Sequence, residues 1–133
     1  MIFSRKAQPS IRSLISEGTT VRGELRFRDG LRVDGEVHGD VIADESDEHS
    51  LVVISEKARV HGKVNAAHVI INGSVVGPVI SHELLELQPK ACVVGNVRYE
   101  VLEMHPGATI DGELKSLKGA EKPPLTLAAS NDA

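Results

Sequence analysis

The chain is 133 residues long, with 15 Lys and Arg against 19 Asp and Glu and a net charge of −4. That length suits one domain. Charges of both signs are interspersed, which leaves no broad positive face for nucleic acid. Phe3, Phe27 and Tyr99 are the whole aromatic set, so the core has to come from Val, Ile, Leu and Ala, whose small volumes suit a narrow stacked interior.

Residues 1–12 carry no repeat and are expected to be a disordered tail. Their start, Met1-Ile2-Phe3-Ser4-Arg5-Lys6, sets apolar side chains beside basic ones. No apolar h-region follows the basic residues, so a secretory signal is not expected. With Cys92 as the single cysteine, a reducing cytoplasm is the expected compartment.

From residue 13 a glycine between two aliphatic residues recurs. It reads Val21-Arg-Gly23-Glu-Leu25, Val33-Asp-Gly35-Glu-Val37, Val60-His-Gly62-Lys-Val64, Ile71-Asn-Gly73-Ser-Val75, Val93-Val-Gly95-Asn-Val97 and Ile110-Asp-Gly112-Glu-Leu114. One short strand written repeatedly is the mark of a solenoid, in which each copy covers the next. Two kinds of repeat alternate. The longer kind is clearest at Leu84–Val97; Val101–Leu114 matches it without a gap 17 residues later, and Leu51–Val64 matches it 33 residues earlier. A fourth copy begins at Ile15 and puts Thr19 where the others have alanine. The second kind carries two glycines, at Gly35 and Gly39 and at Gly73 and Gly77.

Taking Gly23, Gly39, Gly62, Gly77, Gly95 and Gly112 as equivalent gives spacings of 16, 23, 15, 18 and 17 residues. The wide one contains Ala43–Ser50, read as an inserted surface loop. A period of this size fits one turn of a three-sided β-helix with short strands and tight corners. Arg22, Glu24, Asp34, Glu36, His61, Lys63, Asp111 and Glu113 flank the glycines and are expected to face water. A meander of hairpins would use Asp34-Gly35, Asn72-Gly73 and Asp111-Gly112. It leaves Arg22-Gly23, His61-Gly62 and Val94-Gly95 unexplained. Ser81–Gln88 also fits a short helix stopped by Pro89, but its match to residues 101–105 favours a strand and a corner. The expectation is an all-β fold: a β-solenoid of about six coils over residues 13–117, with a second disordered tail over 118–133.

These residues resemble the bactofilins, a bacterial cytoskeletal family. The resemblance covers residues 13 to 114 and rests on Gly18-Thr-Thr-Val21-Arg-Gly23-Glu-Leu25, on Leu31-Arg-Val33-Asp-Gly35-Glu-Val37-His-Gly39, and on the later Ala-x-Val-x-Gly-x-Val copies. It implies a right-handed three-sided β-helix that polymerises end to end without nucleotide. It also implies apolar filaments on the inner face of the cytoplasmic membrane that position cell-wall enzymes or shape the cell. Many members carry an aromatic residue in the last coil, where this chain departs with Ile110.

The physical argument for assembly runs beside that resemblance. End coils expose unpaired backbone groups and the cut face of the core, and no capping element is evident in the sequence. The expected contacts are Ile15, Val21 and Leu25 at one end and Leu102, Ile110 and Leu114 at the other, with another copy of the chain as partner. Like ends meeting would give two-fold contacts, head to head and tail to tail. Ile2, Phe3, Arg5 and Lys6 are the expected membrane contact, weak singly and effective in a polymer.

No catalytic set and no cofactor are expected. His38, His49, His61, His68, His82 and His105 lack ligand spacing and read as solvated surface. Asp44, Glu45, Asp47 and Glu48 lack the glycine and spacing of a calcium loop. Cys92, beside core Val93, reads as a structural thiol. No Walker A sequence is present. The runner-up function is an enzyme on a related solenoid of the hexapeptide acyltransferase type, which needs successive six-residue repeats that this chain lacks. A monomeric solenoid binding a ligand on one face would need a flat array of Thr or aromatic side chains, and none is apparent.

Overall fold

In the computed structural model, residues 10–118 are described. Among them there is no helix; every strand pairs in parallel, and the chain winds through six coils. The first coil comprises β1 (Ile11–Ile15), β2 (Thr20–Arg22) and β3 (Leu25–Phe27); the second, β4 (Gly30–Val33), β5 (Glu36–His38) and β6 (Val41–Ala43). β7 (Leu51–Ile54) and β8 (Arg59–His61) open the third, and β9 (Val64–Ile71) runs round a corner into the fourth. β10 (Ser74–Val76), β11 (Val79–Leu87), β12 (Cys92–Val94), β13 (Val97–Met104), β14 (Thr109–Asp111) and β15 (Leu114–Ser116) complete the stack. β1 begins two residues before the boundary expected at residue 13. Ser81–Leu87 is strand, as its match to residues 101–105 required.

Register turns the repeat into four apolar columns. On the first side Leu31, Val52, Val69 and Leu85 stack, as do Ile15, Val33, Ile54, Ile71, Leu87 and Met104. On the second side the column is Val21, Val37, Val60, Val75, Val93 and Ile110. On the third it is Leu25, Val41, Val64, Val79, Val97 and Leu114. Away from the ends these side chains are fully buried. Branched Val and Ile fit the restricted rotamers of an extended strand, and one residue per column per coil fills a narrow interior without aromatic bulk.

The glycine motif corrects the sequence reading in one respect. It does not lie on one strand. Gly23, Gly39, Gly62, Gly77, Gly95 and Gly112 occupy the corner between the second and third sides, so the aliphatic residues flanking each lie on two different sides. Each of these glycines has φ between +119° and +157°. From Gly39 onward, a Cβ would overlap the carbonyl of the equivalent glycine one coil earlier. A side chain is thus excluded twice, by dihedral and by space. The N–H groups of Gly23, Gly39, Gly62, Gly77 and Gly95 each donate to the next coil at 2.8–3.0 Å.

Gly35 and Gly73 belong instead to the corner between the first and second sides, which explains the two kinds of repeat. There the corner is either four residues long, closed by an N–H of Thr19, Ala58, Ala91 or Ala108 donating three residues back, or a two-residue step at Asp34-Gly35 and Asn72-Gly73. Lys57 reaches Glu17 at 3.7 Å and Lys90 reaches Glu56 at 3.1 Å, each across one of the short corners. These pairs are exposed and each contributes at most about 1 kcal/mol. Asp34 accepts a hydrogen bond from Ser55 and lies beside Arg32, and these hold its carboxyl below the ordinary range.

The inserted loop lies between β6 and β7. Ala43 and Ser50 at its roots are buried, and the acidic tip faces water. Its carboxylates bind backbone within the loop and beside it: Asp44 accepts from the Ser46 N–H at 2.9 Å, and Asp47 accepts from the His49 N–H at 3.1 Å and, from the turn between β3 and β4, the Asp29 N–H at 2.7 Å. The buried hydroxyls next to it are satisfied too. Ser50 Oγ accepts from the Ala67 N–H at 2.9 Å, and Ser81 Oγ donates to the Ala67 carbonyl at 3.0 Å.

Candidate self-assembly surfaces

Both ends of the stack are open. Among the described residues no strand lies beyond β1, β2 and β3 at one end, nor beyond β14, β15 and the second half of β13 at the other. Along those rims one row of backbone N–H and C=O groups has no ladder partner, and the apolar columns run out to solvent. An open edge of this kind is a template for another chain.

The expected contact residues fall into two clusters. Ile15, Val21 and Leu25 belong to β1, β2 and β3, and all three are half-buried against the core. Leu102 and Ile110, on β13 and β14, are half-buried as well, and Leu114 on β15 is exposed. Each is the terminal member of an interior column, so its depth reflects the missing next coil.

Met104 was missed. It terminates the column of Ile54, Ile71 and Leu87 and is 45% exposed. The gapless match of Leu84–Val97 to Val101–Leu114 already aligned it with Leu87, so that signal was present in the sequence. The matching place in the first coil is taken by Ile15, while Ser13 stands in the column of Leu31. The C-terminal rim is therefore the more apolar of the two. Ile2, Phe3, Arg5 and Lys6 lie outside the described residues, as do residues 119–133. No helix long and apolar enough to cross a membrane is found among the described residues.

The remaining chemistry is on the surface. Cys92 is exposed, which corrects the reading of a structural thiol: alternation turns Val93 inward and its neighbours outward. His38 and His61, in register on β5 and β8, stack with ring centroids 5.0 Å apart. His68 is half-buried; burial holds its imidazole below the usual range, against the opposing pull of Glu86, Glu83 and Glu103. Glu86, Glu103 and His105 bring three ligand atoms within 4.8 Å of one another, and His105 Nε2 lies 3.3 Å from Glu86 Oε2. Pairing between coils creates this trio, so no sequence spacing announced it. It is a small, largely open surface group.

The ends are thus the features of the fold that call for a partner. No curated protein and no solved structure matches the chain. The bactofilin family model, described as polymer-forming cytoskeletal, matches residues 13–115, which is the coil stack from β1 to β15. With the greater part of its length covered by that match, the chain belongs to the bactofilin family, whose members are structural polymers of the cytoskeleton.

Proposed function

We propose that the chain assembles end to end into filaments that need no nucleotide, head to head and tail to tail, and that act as a scaffold at the inner face of the bacterial cytoplasmic membrane. The observation that carries this reading is the pair of open rims, at which the interior columns end without a cap among the described residues. Ile15, Val21 and Leu25 form one contact. Leu102, Ile110 and Leu114, with Met104, form the other. A contact between like ends is two-fold, so the filament has no polarity. Family membership supports self-association, and the positioning of cell-wall or morphogenesis proteins rests on the family resemblance alone. Electron microscopy of the purified full chain without nucleotide tests the polymer. Filaments are expected, and monomers alone at high concentration overturn the reading.

Attachment to the membrane is assigned to Ile2, Phe3, Arg5 and Lys6. Each basic residue near an anionic leaflet contributes about 1 kcal/mol, so a single copy binds weakly and a filament binds through many copies. Deleting residues 2–6 is expected to leave polymerisation intact and to abolish co-sedimentation with vesicles containing anionic lipid. Undiminished sedimentation of the deletion variant would rule out this segment as the anchor.

A further inference from the structure

The outward face of the second side, with the corner that follows it, carries a pattern that end-to-end assembly does not use. The fourth coil presents Ser74, Val76 and Pro78 there, and the fifth presents Cys92, Val94 and Asn96. None is charged. Val76 and Val94 stand directly opposite each other on β10 and β12, each 42% exposed. The coils on either side differ in sign. The third offers His61 and Lys63 in the same two columns, and the sixth offers Asp111 and Glu113. Among the described residues Lys63, Asp111 and Glu113 have no ion-pair partner.

We infer that this strip is a self-complementary lateral contact, through which two solenoids pack side by side in opposite directions. A two-fold axis in the contact plane, parallel to the strands and midway between the fourth and fifth coils, keeps every column and inverts the coil order. Val76 then meets Val94 of the second copy, Lys63 meets its Glu113, and His61 meets its Asp111, and each contact occurs twice. Packing in the same direction would keep the coil order and reverse the columns, setting Lys63 on Arg59, His61 on His61 and Asp111 on Asp111, which like-charge repulsion disfavours. The pattern thus selects one occupant, another copy, and one direction.

The strip is four strands tall and about five residues wide, about 300 Å² per copy at ordinary strand spacings. About 600 Å² in total falls short of a stable interface, which needs roughly 1,000 Å² or more. An isolated pair is therefore weak, and the contact becomes effective when a filament repeats it. In that respect the inference rests on end-to-end polymerisation.

The test compares the full-length wild type with Lys63→Glu, with Glu113→Lys and with the double swap. By electron microscopy the wild type is expected to form paired filaments and each single variant unpaired ones, with pairing restored in the double swap. A second readout needs no filament. Cys92 is the only cysteine, and two copies packed this way bring their Cys92 Cα atoms to about 11 Å, from the facing-sheet and strand spacings. A short bismaleimide applied at millimolar concentration to the Ile110→Arg variant, which is blocked at its C-terminal rim, is expected to trap dimers. Adding Lys63→Glu should lower the yield about fivefold, the scale of an exposed ion pair, and adding Glu113→Lys to that should recover it. Filaments that never pair, or single variants that pair and cross-link like the wild type, overturn the lateral contact. Cross-linked dimers of that variant beside a wild type that forms no filaments overturn the end-to-end reading and leave the lateral contact standing.

Discussion

Ile110→Arg is expected to abolish filaments while the circular-dichroism spectrum stays that of a β-solenoid. Ile110 closes the second-side column above Val93 and is half-buried only because no seventh coil covers it. In the isolated chain the long arginine stem can lie on the open rim with its guanidinium in water, so the fold survives. In an end-to-end contact the same charge is trapped between two apolar rims, where an unpaired buried ion costs several kcal/mol. At about 1.4 kcal/mol for each tenfold change in affinity, a loss of even 3 kcal/mol raises the concentration needed for assembly by about a hundredfold. The control is Lys115→Glu, one residue after Leu114 on the exposed outer face of β15. It changes charge near the rim and leaves the apolar columns untouched, so filaments should persist. Filaments of unchanged length from Ile110→Arg would remove this rim from the interface.

The second large effect is expected within the stack. Gly62→Ala should cost about 4 kcal/mol, from a backbone conformation that L residues rarely adopt and from overlap with a fixed neighbour. Gly62 has φ +157°, and an added Cβ would meet the carbonyl of Gly39. That carbonyl belongs to the backbone of the coil beneath, so relief requires the two coils to part and the bond from Gly39 N–H to the His61 carbonyl to lengthen. Gly23 provides the comparison. It occupies the same corner with φ +119°, but as part of the first coil it has nothing within 4 Å of the added atom. Gly23→Ala should therefore show the dihedral cost alone, about 1–2 kcal/mol. Urea unfolding of both variants in the Ile110→Arg background isolates the difference. Equal losses at the two positions would mean that close coil-to-coil approach at this corner is not what selects glycine.

Much of the coil stack was legible because each coil repeats a short pattern. Ala58, Ala91 and Ala108 mark the four-residue corners, and Val60, Val93 and Ile110 follow each at a fixed step on the second side. Gly62, Gly95 and Gly112 stand two residues after these, as Gly23, Gly39 and Gly77 stand two residues after Val21, Val37 and Val75, so the six ladder glycines were correctly equated despite uneven spacing. The reading of each glycine motif as one short strand failed for a definable reason. Val33-Asp-Gly35-Glu-Val37 and Val60-His-Gly62-Lys-Val64 look alike as strings, yet one crosses a two-residue corner and the other crosses the glycine ladder. Both corners place the flanking aliphatic residues inward, and local composition cannot separate them.

What the linear chain determined by itself is the periodic part: parallel coils, an aliphatic interior, polar residues outward and an inserted loop after Ala43. Alternation and corner chemistry act over a few residues, so they can be read from a few residues. What the tertiary structure decided is everything that depends on which coil lies above which. Corner lengths differ, so equivalent residues are separated by unequal stretches of chain, and only inter-coil hydrogen bonding fixes their alignment. That alignment gathered Glu86, Glu103 and His105, and set the uncharged strip of Val76 and Val94 between Lys63 and Glu113.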